Sequence, residues 1–146
     1  MEVKRINPND TYHIRNKVLR PGRPVETCYF DGDDDELTFH LGAFVNSKLV
    51  SIASFYYDKN DTVEVDHQFR LRGMATLPDF QGQGFSSALV KTAIPLIKQN
   101  HCHLLWCNAR LSAQGFYEKI GFQIQDPQIF DIPDVGPHIL MAYKVN

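Results

Sequence analysis

Residues 71–90, LRGMATLPDFQGQGFSSALV, combine three features in one run: a strand pattern, a turn with two glycines and the start of a helical pattern. Side chains alternate over Phe69–Leu77, which predicts a strand that ends at Pro78. After Gly84, apolar residues return at helical spacing as far as Ile97. A helix that begins at a glycine turn presents unpaired backbone N–H groups and a positive dipole end, an arrangement typical of phosphate sites.

The glycine turn alone has several interpretations. A plain strand-to-helix turn needs no ligand. A dinucleotide site requires a third glycine, where this chain has Ser87, and an acidic residue about 20 positions further on. Cys102–Leu104, at that distance, contain no acid. The Gly-Lys-Ser/Thr ending of a P-loop is also missing. Two interpretations of the glycine turn therefore remain: a plain turn, or a binding site for another phosphate.

The flanking segments predict a single α/β (α+β) domain over residues 1–146 with a mixed sheet. Before the glycine turn we expect a strand, a helix and a β-hairpin: Met1–Ile6, a helix from Asp10 or Thr11 to Leu19, and strands His40–Val45 and Leu49–Tyr57. After it we expect a helix that kinks or ends early at Pro95, a strand His103–Ala109, a helix Leu111–Ile120 capped by Gly121, and strands Phe122–Phe130 and His138–Val145. The segments 20–38 and 58–66 are expected to be loops.

The composition argues against several classes of protein. The chain of 146 residues is 43% hydrophobic and 22% charged, enough to form a core. Its net charge of −2 provides no general attraction to nucleic acid or acidic membranes. No window approaches the roughly 18 apolar residues of a membrane span, and the N-terminus lacks a secretory pattern. Three cysteines form no disulfide framework, so we expect a cytoplasmic protein.

With these elements in place, residues 71–90 resemble motif A of the GNAT superfamily of N-acetyltransferases, Arg/Gln-x-x-Gly-x-Gly/Ala. Gln81 and Gly84 match its first two anchors, and Ser86 stands where the family has glycine or alanine. A second segment, LLWCNARLSAQGFYEKIGFQ (residues 104–123), is similar to motif B, a strand, an asparagine and a helix carrying Phe-Tyr-x-x-x-Gly-Phe. Shorter stretches such as VGPHILM look similar to the ElaA-like branch. The resemblance covers nearly the whole chain and implies the GNAT fold, with a mixed, mostly antiparallel sheet of about six or seven strands flanked by helices.

The resemblance further implies transfer of an acetyl group from acetyl-CoA to a primary amine of a small molecule or peptide, by direct attack in a ternary complex. The cofactor-binding residues that it implies are Met74, Ala75 and Thr76 for the pantetheine arm, Gln81, Gly82, Gln83, Gly84, Phe85 and Ser86 for the pyrophosphate, and Asn108 for the pantetheine amides. Tyr117 occupies the family's position for the general acid that protonates the CoA thiolate. A packed aromatic without a catalytic role is the alternative for Tyr117.

The base that deprotonates the amine is not part of either motif. His138 is the first choice, with His40, Glu36 or a water chain as alternatives, and a structural histidine is the plain interpretation of His138. Two functional alternatives stay open: a non-catalytic acyl-CoA-binding or sensory module on the same fold, and an unrelated nucleotide-binding domain. The sequence identifies neither the acceptor amine nor the oligomeric state, a homodimer included.

Other clusters of reactive side chains predict no chemistry. Cys102 and His103 point to opposite faces of a strand and do not share a zinc ion easily, and Cys107 is expected in the core, so no metal is expected. The acidic run 33–36 lacks the ligand spacing of a calcium loop and is expected to be solvated, with attraction of a cationic acceptor as the alternative. Arg15 and Arg20 are expected on a solvated helix face, with recognition of an acidic acceptor as the alternative.

Overall fold

Residues 1–145 are described by a computed structural model that contains seven strands and three α-helices. The strands are β1 (Glu2–Ile6), β2 (Phe39–Val45), β3 (Lys48–Tyr57), β4 (Gln68–Thr76), β5 (Leu104–Arg110), β6 (Gln123–Ile132) and β7 (Gly136–Lys144). The helices are α1 (Tyr12–Ile14), α2 (Phe85–Gln99) and α3 (Gln114–Lys119). Short 3₁₀ turns cover Pro8–Thr11, Val25–Cys28, Pro78–Phe80 and Leu111–Ala113, and a π-helical turn covers Arg15–Leu19.

The strands form one sheet in the order β1-β2-β3-β4-β5-β7-β6. The pairs β1–β2, β2–β3, β5–β7 and β6–β7 are antiparallel. β4 and β5 pair in parallel, from Gln68 with Leu104 to Arg70 with Trp106. The predicted α+β class with a mixed, mostly antiparallel sheet is therefore confirmed.

The predicted hairpin is also present, because its turn residues suit a tight connection. β2 and β3 are joined by Asn46 and Ser47, whose φ angles are 50° and 67°. Two consecutive residues with positive φ are the signature of the type I′ turn, whose twist matches that of paired strands. The register that results places Val45 opposite Lys48.

The first helix departs from its prediction. Instead of one α-helix from Asp10 or Thr11 to Leu19, the segment passes from a 3₁₀ turn through α1 to a π turn. The Asp10 carboxylate accepts a hydrogen bond from the backbone N–H of Asn7 at 2.9 Å, which fixes the start. At the other end, the Asn16 amide donates to the carbonyls of Arg20 and Arg23 at 3.2 and 2.9 Å. These bonds cap the segment where regular α-helical bonding is lost.

The expected early end of the next helix at Pro95 is wrong, because α2 continues to Gln99. Proline has no N–H and removes the hydrogen bond to the carbonyl four residues earlier, that of Lys91. Both Pro95 and Lys91 are exposed, so water can satisfy that carbonyl. The helix therefore tolerates the proline on its solvent side.

The chain divides into two compact units. The first contains Met1–Tyr56 and Leu71–Leu96, and the second contains Tyr57–Arg70 and the chain from Ile97 onward. A core cluster of the second unit consists of Val63, Leu104, Trp106, Leu140 and Ala142. The assignment of residues 1–146 to a single domain stays a prediction. In the described part of the chain, no helix has both the length and the apolar character required to cross a bilayer.

Candidate active site

The glycine turn opens onto free space at the start of α2. Gly82 and Gly84 have φ angles of +75° and +86°, a region that L side chains rarely adopt. A Cβ built on either glycine meets nothing within 4 Å. The first turn of α2 carries no acidic residue. The two glycine positions are thus open, and no carboxylate in the first helical turn competes with an anion for its N–H groups.

The two glutamine side chains of the turn hydrogen-bond within the first unit. Gln81 Nε2 donates to the carbonyl of Thr76 at 3.0 Å, and Gln83 Nε2 donates to the carbonyl of Asp79 at 3.2 Å. Each amide closes a short loop of four or five residues. The two glutamine side chains therefore brace the turn.

Ser86, which departs from the motif, belongs to a chain of hydroxyl groups between β4 and α2. Thr76 Oγ1 lies 3.2 Å from Ser86 Oγ and 2.7 Å from Ser51 Oγ, and Ser51 Oγ donates to the carbonyl of Ala75 at 3.3 Å. Because each hydroxyl has one proton, the consistent direction is Ser86 to Thr76, Thr76 to Ser51, and Ser51 to the Ala75 carbonyl. This chain ties the first turn of the helix to the end of the strand.

β4 contains a glycine with positive φ, at Gly73 (+64°). A glycine of this kind within a strand is typical of a bulge or of a close approach by another group. A Cβ at Gly73 would lie 3.2 Å from Phe30 Cε2 and 3.3 Å from Arg15 Nε. The absence of a side chain here allows the segment 15–33 to pack directly against the strand, immediately before Met74.

Arg15 is not on a solvated helix face: it is 0% exposed, and the expectation for it is wrong. Its guanidinium donates to both carboxylate oxygens of Asp33, at 2.7 and 3.0 Å, and to the carbonyl of Cys28 at 2.8 Å. Asp33 is buried too, so the acidic run is not a purely solvated loop. A buried charge requires a partner of this geometry, since isolated burial of an ion is strongly unfavourable.

Three polar side chains complete this buried network. Tyr56 donates to Asp33 Oδ1 at 2.6 Å, and Ser54 Oγ accepts from Arg15 at 2.9 Å. His40 Nε2 lies 3.0 Å from the carbonyl of Asp33 and Nδ1 lies 2.7 Å from Ser54 Oγ. A carbonyl only accepts, so Nε2 carries the proton and Nδ1 accepts from Ser54. With both ring nitrogens engaged, His40 is a poor general base.

The pKa values of the network favour an ionised Asp33 and a neutral His40. Burial opposes ionisation of Asp33, but hydrogen bonds from Arg15 and Tyr56 outweigh it and lower the pKa of the carboxyl. For His40, burial lowers the pKa of the ring despite the nearby Asp33. The network therefore holds one ion pair and one neutral imidazole.

Acid should destabilise the protein in two steps. The folded pKa of His40 lies below its ordinary 6.5, so the stability that the neutral ring contributes is lost as the pH falls below that value. The folded pKa of Asp33 lies below 3.8, so its contribution is complete above that value and declines below it. Urea unfolding between about pH 8 and pH 3 measures both steps. Asp33→Asn should abolish the second step and keep the first; an identical acid profile in that variant would contradict the assignment.

Tyr117 is positioned by the C-terminal cap of α3. Gly121, with φ +110°, donates its N–H to the carbonyl of Glu118 at 3.1 Å, and Phe122 donates to the carbonyl of Tyr117 at 3.0 Å. These two bonds are those of a Schellman motif, which confirms the predicted glycine cap. The rings of Tyr117 and Phe122 lie 5.2 Å apart, the apolar contact that accompanies the motif.

The phenol of Tyr117 is held in its protonated form. Burial raises its pKa, and the neighbouring Cys107 adds to that effect. Cys107 is 2% exposed, and burial raises the pKa of its thiol to about 12, which suits the expected core residue rather than a nucleophile. At neutral pH Tyr117 therefore has a proton to donate.

Asn108 and His138 lie on neighbouring antiparallel strands of the second unit. Asn108 is half-buried on β5 and opposes Leu140, while His138 on β7 opposes Arg110 and is 4% exposed. His138 Nδ1 lies 2.7 Å from the carbonyl of Gly136, so this nitrogen carries the proton and the lone pair of the neutral ring is on Nε2. Among residues 1–145, no group of three His, Cys, Asp or Glu side chains is placed to hold a metal ion.

Comparison with known proteins identifies the class to which this fold and turn belong. The model of the acetyltransferase (GNAT) family matches residues 9–122, so the chain belongs to that family. The uncharacterized N-acetyltransferase YitI of Bacillus subtilis (strain 168) is 41% identical over 145 residues, which span 99% of this chain and 95% of that protein.

Two solved structures show the same fold. The ribosomal-protein-S18-alanine N-acetyltransferase of Escherichia coli superposes with a TM-score of 0.74 at 21% identity, over 99% of this chain and 94% of that one. An aminoglycoside 6'-N-acetyltransferase complexed with coenzyme A superposes with a TM-score of 0.72 at 14% identity, over 100% and 98% of the two chains. The ElaA-like assignment stays a prediction.

Proposed function

We propose that this protein transfers the acetyl group of acetyl-CoA to a primary amine of a small molecule or peptide, in a ternary complex. The observation that carries the proposal is the open glycine turn at the start of α2. The backbone N–H groups of residues 82–86 and the helix dipole suit a diphosphate, and the glycines leave room for it. The family membership and the coenzyme A bound to the aminoglycoside 6'-N-acetyltransferase support the same ligand.

We assign the pantetheine arm to the backbone of Met74, Ala75 and Thr76 and to the amide of Asn108. Acetyl-CoA supplies an activated thioester. A backbone N–H at the end of β4 polarises its carbonyl as the amine nitrogen attacks, in the manner of an oxyanion hole. The C–S bond then breaks, and the Tyr117 phenol donates its proton to the leaving sulfur.

His138 is our proposal for the group that removes a proton from the attacking amine. The bond from Nδ1 to the Gly136 carbonyl directs the lone pair to Nε2, as a base requires. His40 has both ring nitrogens engaged and is a weaker candidate. His138→Gln should therefore lower kcat, measured by thiol release at saturating acetyl-CoA, whereas the same substitution of a structural histidine would affect only stability.

We further propose that the protein acts in the cytoplasm as one domain of residues 1–146. Its three cysteines, Cys28, Cys102 and Cys107, are free and buried, which suits a reducing compartment. The family model spans most of the chain and covers elements of both compact units, which supports a single functional domain.

Two measurements test the proposed function. Calorimetry with acetyl-CoA, ATP and NAD tests the ligand, and we expect only acetyl-CoA to bind below about 1 mM. A thiol-release assay over a panel of primary amines tests catalysis. Binding without turnover of any amine would favour the alternative, a non-catalytic acyl-CoA module on the same fold. Absence of acetyl-CoA binding would overturn both.

Gly84→Ala should weaken acetyl-CoA binding by about tenfold or more. The methyl group enters the space that we assign to the pyrophosphate, and the positive φ adds a strain of about 1–2 kcal/mol. Gly22→Ala is a matched control, since Gly22 has φ +78° and an equally open Cβ position. Both variants should lose similar stability in urea unfolding, and only Gly84→Ala should lose affinity in calorimetry. If Gly84→Ala and Gly22→Ala bound acetyl-CoA with equal affinity, the glycine turn would not be part of the binding site.

A further inference from the structure

Ser86 places a hydroxyl group in the first turn of α2. The helix opens with a hydrogen bond from the N–H of Ala88 to the carbonyl of Gly84 at 3.1 Å. The N–H groups of Phe85, Ser86 and Ser87 therefore precede the regular helical bonds and have no partner within the helix. Since the side chains of a helix tilt toward its N-terminus, the Ser86 side chain leans toward the end at which we place the diphosphate.

Ser86 is the outer member of the hydroxyl chain that it forms with Thr76 and Ser51. Ser51 is 0% exposed, Thr76 is 9% exposed and Ser86 is half-buried. The inner end of the chain is the carbonyl of Ala75, which accepts from Ser51 Oγ at 3.3 Å. The chain thus leads from the interior of the first unit to the start of α2, and Ser86 is the member best placed to meet a ligand.

The protons of this chain can point in either of two directions. Either oxygen can donate in the contact of 3.2 Å between Ser86 and Thr76 and in that of 2.7 Å between Thr76 and Ser51. In the inward direction, every proton is used within the protein and the last bond ends on the Ala75 carbonyl. In the outward direction, Ser51 donates to Thr76 and Thr76 donates to Ser86, which leaves the Ser86 proton for an outside acceptor. The outward direction gives up the bond from Ser51 to Ala75, at 3.3 Å the longest of the three.

A diphosphate at the glycine turn favours the outward direction. In the inward direction Ser86 would present oxygen lone pairs to the anion, which repel it. In the outward direction Ser86 donates to the anion, and a hydrogen bond to an ionised acceptor is roughly twice as strong as one between neutral groups. Each hydroxyl that donates also polarises the next one in the chain. One long bond between neutral groups is therefore exchanged for a charge-assisted bond.

We propose that the Ser86 hydroxyl donates a hydrogen bond to the diphosphate of acetyl-CoA, with the Thr76 and Ser51 hydroxyls turned outward behind it. This inference rests on the proposed acetyl transfer. Ser86 is then a further ligand of the diphosphate beside the backbone N–H groups, and Thr76 is a positioning residue that acts through Ser86. The glycine or alanine of the family motif has no hydroxyl, so this contact is particular to a serine at the position.

Ser86→Ala tests the contact. Alanine belongs to the family motif at this position, so the variant should fold. Calorimetry should show an affinity for acetyl-CoA lowered by about tenfold, the size expected for a hydrogen bond to a charged group. Acetyl-pantetheine keeps the thioester arm and lacks the diphosphate. Its affinity, measured by displacement of acetyl-CoA, should be the same in Ser86→Ala and the wild type.

The matched control is another hydroxyl of the same helix. Thr92 is exposed, and its Oγ1 donates to the carbonyl of Ala88 at 2.8 Å. Thr92→Val removes this hydroxyl one to two turns beyond Ser86, and the variant should bind acetyl-CoA with the wild-type affinity.

A double-variant cycle tests the chain behind Ser86. Thr76→Val removes the second hydroxyl and should lower the affinity for acetyl-CoA several-fold, because Ser86 loses the donor that turns its proton outward. The same substitution in the Ser86→Ala background should have little further effect, since Thr76 acts through Ser86.

Three results would overturn the inference: a wild-type affinity for acetyl-CoA in Ser86→Ala, equal losses for acetyl-CoA and acetyl-pantetheine, or an effect of Thr76→Val that is the same in both backgrounds. In each of them the wild-type protein still binds acetyl-CoA, so the proposed function stands. Absence of acetyl-CoA binding to the wild-type protein would instead overturn the proposed function and this inference with it.

Discussion

Asp33→Ala should lower the free energy of unfolding by about 3–5 kcal/mol, the cost expected when one partner of a buried ion pair is removed. The substitution leaves the guanidinium of Arg15 fully buried without its carboxylate and removes the acceptor of the Tyr56 hydroxyl. Small domains have a free energy of unfolding of about 5–15 kcal/mol, so this loss is a large fraction of the total stability. Urea unfolding monitored by circular dichroism measures the effect.

The matched control is a carboxylate in an exposed ion pair. Lys59 and Asp66 approach to 3.9 Å with side chains 48% and 93% exposed. Asp66→Ala should therefore change stability by no more than about 1 kcal/mol. The double variant Arg15→Met/Asp33→Leu removes both charges but leaves the Cys28 carbonyl and the Tyr56 hydroxyl without these partners, so it should recover only part of the loss. Equal effects of Asp33→Ala and Asp66→Ala would show that the buried pair contributes little.

The network also holds Phe30 in place. Arg15 contacts the ring of Phe30, and Phe30 donates its backbone N–H to Asp33 at 3.0 Å. Loss of Asp33 therefore releases the ring on which Arg20 and Arg72 lie.

The parts of the structure that were predicted correctly are specified by neighbouring residues. The alternation before Pro78, the glycines after it and the helical spacing from Phe85 define strand, turn and helix locally. The same holds for the hairpin turn at Asn46 and for Gly121, whose positive φ closes α3. In each case, the backbone preferences of neighbouring residues are enough to specify the element.

The buried network was missed because its members are distant in the sequence. Arg15 and Asp33 are 18 residues apart, and Tyr56 is 41 residues from Arg15. Charged residues are mostly exposed. An arginine on a helix and an aspartate in an acidic run are therefore both predicted to be exposed to solvent. Only the tertiary fold brings them together, and the π turn that begins at Arg15 has no local signal that we recognise.

Tyr117→Phe should lower kcat by about 10²–10⁴-fold, the usual contribution of a positioned general acid, with little change in affinity for acetyl-CoA. The substitution removes one oxygen and keeps the ring packed between Phe116 and Phe122, whose centroids lie 5.3 and 5.2 Å away. Because the ring contacts are kept, the free energy of unfolding should change little. Thiol release at saturating substrate measures kcat, and calorimetry measures the affinity.

The control for Tyr117→Phe is Tyr57→Phe, since Tyr57 is exposed and its hydroxyl lies 3.0 Å from His67 Nδ1. That variant should keep both kcat and affinity. Burial raises the pKa of Tyr117, so the phenol stays protonated at neutral pH and its loss should lower the rate across the whole neutral range. Because only the step that protonates the leaving sulfur is affected, kcat and kcat/KM should fall together. A wild-type kcat in Tyr117→Phe would leave this residue as the packed aromatic of the α3 cap and require another proton donor.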